Sequence, residues 1–311
     1  MNTGRRATKA HTLVATLPCL EVLIAIAEGT KARSVLDIWG TMVASIDGRL
    51  RAGYDNVRWR GPLTNSASGD RSINAAILAA AGGSLPDRGS TDFPDWASLS
   101  FVDVLDVDAL PGTSAHCSLG WSRGRADPRG VSLRITVPNE NTSWTTLLEM
   151  ARDMAIGADP VWRWMTVGYR FVPPSFQSAS LAESLRAIFQ LSKRFRAVDV
   201  GDPLAIHTTD WISGIRSVGF LTALAPSMLI EHGTPASDGL RAARFERVHG
   251  ALFVYAGADP SCVDVNRGDS PDGYREADQI CRQLRREIPL NFLAPWDQQS
   301  SAEWLNRWAF P

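Results

Sequence analysis

The sequence predicts an α+β protein: a mixed, largely antiparallel sheet, or sheets, with packed helices. Two observations carry this prediction. Short apolar runs bounded by Gly, Pro and Asp alternate with longer stretches in which apolar residues recur at helical spacing. A middle block places three strand candidates in a row, at 100–107, 116–122 and 131–137. Turn residues separate them at Pro111-Gly112 and over 124–130, which implies antiparallel pairing. The chain has 311 residues, 44% hydrophobic and 21% charged, enough to bury a sizeable core.

Taken in order, 22–26 reads as a strand and 31–50 as a helix, with Val35, Trp39, Met42, Val43, Ile46 and Leu50 at helical spacing. Gly53 breaks that pattern. A short strand candidate follows at 57–59, then a small Ala-rich helix over 73–81 that Gly82-Gly83 ends. After the three-strand block, Trp144, Leu147, Leu148, Ala151, Met154 and Ala155 form one helical stripe, and 161–171 is a long strand candidate. Ser180-Leu-Ala-Glu183 has the form of a capping box and opens a helix carrying Leu181, Leu185, Ile188 and Phe195. Residues 221–231 read as an amphipathic helix closed by Gly233, and 240–245 as a short helix. Then come a strand at 252–256, a helix over 274–284 with Tyr274, Ala277, Cys281 and Leu284 aligned, and a last helical turn or two at 303–308.

This organisation divides the chain into a loose tail over 1–12, an N-terminal α/β half over 13–138 and a C-terminal α/β half over 139–311. Two strand–helix–strand passages are compatible with two related halves. Arg5, Arg6 and Lys9 precede an apolar stretch from Leu13 to Leu20 that resembles a short signal peptide. Glu21 interrupts it, and no small-residue cleavage pattern follows, so a cytoplasmic protein is expected. No apolar run approaches the length of a membrane span.

The net charge of −1 gives no global recommendation for nucleic-acid binding, although local patches can hide beneath it. Cys19, Cys117, Cys262 and Cys281 are far apart and form no C-x-x-C pair, which argues against a zinc or thioredoxin-like site. Phosphate-binding, nucleophile-elbow and H-E-x-x-H patterns are absent. No two of His11, His116, His207, His232 and His249 stand four apart, so a helical metal pair is ruled out. Ligands from distant segments, such as His207, Asp210 and His249, can still converge.

Asp103, Asp106 and Asp108 alternate partly with apolar residues and lack the glycine and distal glutamate of a calcium loop. They read either as a solvated strand edge kept from pairing with other edges or as an acidic, partner-binding ridge that pairs with a basic groove. Eleven tryptophans supply core, and one or two of them can anchor an interface. The aspartates Asp259, Asp264 and Asp269 of a Gly-, Pro- and Asn-rich loop suit turn and cap roles.

Several pieces of the second half, in order, resemble the TsiV-like immunity proteins of type VI secretion systems. Gly168-Tyr-Arg-Phe171 is similar to the family's Gly-Tyr segment. Val218-Gly-Phe220-Leu221-Thr222-Ala-Leu224 is similar to its Trp-Leu-Thr-x-Leu segment, with Phe220 in the usual Trp place. Pro260-Ser-Cys-Val263-Asp264-Val-Asn266 is similar to its Pro-x-x-Gly-Asp-x-Asn loop, with Val263 where glycine is common. Tyr274-Arg275 and Trp304-Leu-Asn-Arg307-Trp308 also fit. The resemblance implies a cytoplasmic, non-enzymatic protein that binds a cognate effector toxin, a nuclease of the VRR-Nuc class, and occludes its active site. It implies no cofactor, no metal, no direct contact with nucleic acid and no membrane. The motif residues themselves read as fold-defining. The alternatives are a metal-dependent hydrolase, or immunity against a different toxin class such as a lipase or cell-wall hydrolase.

Overall fold

A computed structural model describes residues 18–26, 52–55, 60–62, 96–102, 116–122, 130–138, 143–157, 162–171, 181–200, 214–215, 217–235, 239–285 and 295–309. Its strands are β1 (Pro18–Ile26), β2 (Ala52–Asp55), β3 (Arg60–Pro62), β4 (Trp96–Val102), β5 (His116–Ser122), β6 (Gly130–Pro138), β7 (Trp162–Phe171), β8 (Val198–Asp199), β9 (Leu221–Leu224), β10 (Arg244–Val248) and β11 (Ala251–Tyr255). Its α-helices are α1 (Trp144–Gly157), α2 (Leu181–Arg194), α3 (Pro226–His232), α4 (Asp272–Cys281) and α5 (Gln298–Leu305).

The strands form one open, mixed sheet in the order β10-β11-β9-β7-β1-β6-β5-β4-β2-β3, with β8 added alongside β7. The pairs along this path are antiparallel, while β8 runs parallel to β7. The fold is therefore α+β, as the sequence predicts. β1 lies at the centre, pairing Glu21 with Thr136 of β6 on one side and with Gly168 of β7 on the other. One sheet thus runs through both segments of the chain.

The predicted elements at 22–26, 116–122, 131–137, 161–171 and 252–256 are strands, and those at 144–155 and 274–284 are helices. The helices expected at 31–50 and 73–81, and the tail over 1–12, lie outside the described residues. The helical pattern that Gly53 breaks gives way to β2, in which Gly53 pairs with Gly61 and with Phe101, and the strand expected at 57–59 lies outside the described residues. Three expectations need correction. Residues 221–231 are not one helix. Leu221–Leu224 is a strand buried at every position between β7 and β11, and Pro226 starts α3. Proline has no N–H to give to a ladder and is pre-set for the first helical turn, so the chain changes structure there. A fully buried strand loses its alternating pattern, and its leucines then mimic helical spacing.

Residues 240–245 are not a helix either. The N–H groups of Arg241, Ala242 and Ala243 all donate to the Glu276 carboxylate at 2.7–3.1 Å, and the next residues pair with β11. Burial pushes the Glu276 carboxyl upward, but these three N–H groups outweigh it and hold the group below its ordinary range. The last helix begins five residues before 303, because Asp297 accepts from the Ser300 N–H at 2.7 Å and the Ser300 hydroxyl accepts from the Asp297 N–H at 3.0 Å.

The largest fully buried side chains are Trp162, Trp164, Phe171, Phe220 and Phe253. A cluster of Phe171, Leu185, Ile188, Val198, Val200, Trp296 and Trp304 joins α2 and α5 to the end of β7. Close backbone approach fixes two glycines. A Cβ on Gly219 would lie 2.6 Å from the Val167 carbonyl oxygen. One on Gly273 would lie 2.3 Å from that of Ala256, so α4 sits against the end of β11 only with glycine there.

Candidate partner-binding surface

Most of the family-like motif residues are internal, while the loop motif ends on exposed Val265 and Asn266. Phe220 is buried, with Trp144 and Tyr255 edge-on to it at centroid distances of 5.6 and 6.2 Å. The Phe220 ring thus completes a three-ring cluster with Trp144 and Tyr255. Tyr274 stacks on Trp308 at 5.0 Å and donates its hydroxyl to the Ser261 carbonyl. Arg307 is buried. It donates to the Arg196 and Trp304 carbonyls and to the Ser217 hydroxyl, with its guanidinium 3.7 Å from the Trp304 ring centre. These contacts bring 196, 217, 261, 274 and 304–308 together behind one loop.

That loop, 257–271, leaves the C-terminal end of β11. Its frame is Asp264, which is almost entirely buried. The Asp264 carboxylate accepts from Arg194 Nε and Nη2 at 2.9 and 2.6 Å and from the Asn266 N–H at 3.0 Å. Its own N–H donates to Asp269 Oδ2 at 2.9 Å. The Arg194 guanidinium holds the Asp264 carboxyl below its ordinary range, with burial opposing. Asp264 thus takes the cap role expected of it, opening the short 3₁₀ turn Val265–Arg267. Its partner Arg194, 70 positions away in sequence, left no local signal.

A depressed folded-state value means that the contribution is complete above the unfolded carboxyl range near ~4 and is lost as pH falls through the folded value. The expected result is that Asp264→Asn lowers the melting temperature at neutral pH, and that its difference from wild type shrinks as pH drops below about 4. Thermal melts across pH check this.

Val263 stands where the resembled loop favours glycine, yet the backbone keeps the glycine conformation, with φ at +50° and the side chain buried. A β-branched residue in this region is strained by roughly 1–3 kcal/mol. Val263→Gly removes that strain while losing about 2 kcal/mol of burial, so the two nearly offset. Val254→Gly, in regular and equally buried β11, has no such relief. Urea unfolding is expected to show Val263→Gly as the milder change by at least about 1 kcal/mol.

Beyond this frame, residues 265–270 are exposed throughout, and Val265 and Ile230 are the exposed large hydrophobics among the described residues. The Arg267 side chain is 79% exposed, its Nε 3.7 Å from Asp264 Oδ2. Lys193 and Arg194 close α2 beside the loop.

Asp103, Asp106 and Asp108 lie outside the described residues. The strand before them is described, and its register places its end. Val102 is level with His116, Thr136, Glu21 and Gly168 across β4, β5, β6, β1 and β7. The Ala256 N–H donates to the Phe220 carbonyl at the same level. β4 and β11 therefore both exit at one rim of the sheet, six strand steps or about 29 Å apart. His207 and Asp210 are also outside the described residues, while His249 is exposed in the β10–β11 turn. Among the described residues no group of three or more His, Cys, Asp or Glu is placed to hold a metal ion. Burial pushes the Cys262 thiol up to about 11, which keeps it protonated at neutral pH. No helix among the described residues is long and apolar enough to cross a membrane.

Residues 168–308, just under half of the chain, match the family described as TsiV, type VI immunity for VRR-NUC. The solved structure of a Pseudomonas aeruginosa T6SS protein is similar in fold, with a TM-score of 0.66 over 94% of this chain and 82% of that one, at 15% sequence identity. No curated protein matches the sequence.

Proposed function

We propose that this chain, TsiV-like over residues 168–308, is a type VI immunity protein that binds a cognate VRR-Nuc effector and neutralises it by covering its active site. The family match carries the reading. The buried placement of the matched motifs supports it, because they build a rigid platform and leave binding to the surface around them. The inhibitor acts by surface complementarity and not by turnover.

A DNA-cutting effector needs a basic groove for its phosphate-rich substrate. The segment following β4, with Asp103, Asp106 and Asp108, supplies acidic groups that suit such a groove, and charge complementarity speeds capture. Protection requires the inhibitor in the compartment where the effector would cut DNA, which for a nuclease is the cytoplasm. The test is co-expression with the VRR-Nuc effector encoded beside this chain. Cells survive and the two proteins co-elute on a sizing column if the reading holds. Continued killing with no complex refutes it.

A further inference from the structure

We propose that the exposed tip 265–270 enters the effector's cleft, with Arg267 meeting the carboxylates that hold the nuclease's catalytic metal ions and Val265 packing on the cleft wall. The proposal rests on the immunity reading and adds the contact and its chemistry.

Three observations meet at this tip. First, the loop is fixed before any partner arrives. Val263 is buried at a backbone angle its residue type disfavours, Asp264 is held from two sides, and the Arg196 and Ala197 N–H groups donate to the Val263 and Cys262 carbonyls at 3.2 and 3.1 Å. Non-glycine residues kept in this region concentrate where geometry serves function, and a loop rigid in its bound shape loses little entropy on docking. Second, what the frame presents is an apolar residue, 42% exposed, beside an arginine, 79% exposed. Arg267 makes only a long ion pair with Asp264, 3.7 Å, because Arg194 and the Asn266 N–H hold that carboxylate more closely, and its side chain stays largely exposed. Third, the acidic residues at the tip are engaged within the loop, Asp264 with Arg194 and Asp269 with the Asp264 N–H, which leaves Arg267 as the cation the tip presents.

The occupant follows from charge. A nuclease that works through metal ions gathers carboxylates at its centre. A guanidinium pairs with carboxylates bidentately and can stand where the metal would. An exposed arginine matches the Arg enrichment of interface anchors, and the exposed valine beside it is apolar surface that a partner removes from water.

The experiment measures binding of the full chain to the adjacent VRR-Nuc effector by calorimetry, with and without millimolar magnesium. Val265→Asp and Arg267→Glu are each expected to weaken the complex by about tenfold or more, while Arg186→Glu, the same charge change on exposed α2, leaves it unchanged. Magnesium is expected to weaken the wild-type complex by competition and to have no effect on the Arg267→Glu complex. Melting curves check that the variants fold, and Arg267→Gln replaces Arg267→Glu if the latter does not. Wild type that binds, with either variant within a few-fold of it or with no magnesium competition, overturns the tip assignment and leaves the immunity reading standing. Wild type that does not bind overturns the reading itself.

Discussion

Asp278→Ala is expected to destabilise the protein by about 3–5 kcal/mol, and to lower its melting temperature by roughly 6–15 °C. Asp278 is fully buried on α4. It accepts from Arg285 and from Arg282 Nη2, the latter at 3.3 Å. Arg285 is itself largely buried, so burial lowers its guanidinium to about 10, and it also donates to the Leu305 carbonyl at 3.0 Å. The Ile215 N–H donates to the Leu284 carbonyl beside it. The pair therefore ties α4 to the end of α5 and to residue 215. Removing the carboxylate leaves a buried cation without its counter-charge, which costs more than the pair itself contributes. The double variant Asp278→Leu/Arg285→Met removes both charges together and is expected to recover most of the loss. Urea unfolding of the two single variants and the double measures this coupling.

Arg307→Ala is expected to cost about 3 kcal/mol or more. The side chain is buried, and its three nitrogens bond in three directions to residues far apart in sequence. Truncation removes the side-chain donors to the Arg196 carbonyl and the Ser217 hydroxyl and opens a gap between two indole rings. Arg307→Lys is expected to restore little, because an ammonium is a point charge that cannot fill a planar three-way site or stack on Trp304. Thermal melts of both variants check this. Arg196 itself pairs with the 257–271 loop, its N–H donating to the Val263 carbonyl. Arg307→Ala should therefore also speed amide exchange at 262–264 ahead of the rest of the sheet.

The sequence made the periodic elements legible and the context-dependent ones not. The stripe from Trp144 to Met154, the run from Leu181 and the alignment of Tyr274, Ala277, Cys281 and Leu284 each declare a helix, because one face of each is buried and the other is not. β9 was hidden because burial on both faces erases alternation. β10 was hidden because its approach is set by Glu276, more than 30 residues later. The same limit applies at the surface. The loop at 257–271 stands out by composition, and a capping role for Asp264 is readable from its residue type. The bidentate hold from Arg194 and the exposure of Val265 and Arg267 follow only from long-range packing. Val263 stands where glycine is common, and residue type alone would disfavour a left-handed backbone there. Instead the surrounding hydrogen bonds impose the left-handed conformation on valine.

The central claim is inhibition by a stoichiometric protein contact. The most direct measurement is DNA cleavage by a fixed amount of the purified VRR-Nuc effector, titrated with this protein. The account predicts a linear fall of activity to zero, with a sharp break at a fixed molar ratio and no cleavage by the protein alone. An effector that keeps cutting at molar excess of this protein, or DNA cut by this protein without the effector, would contradict it.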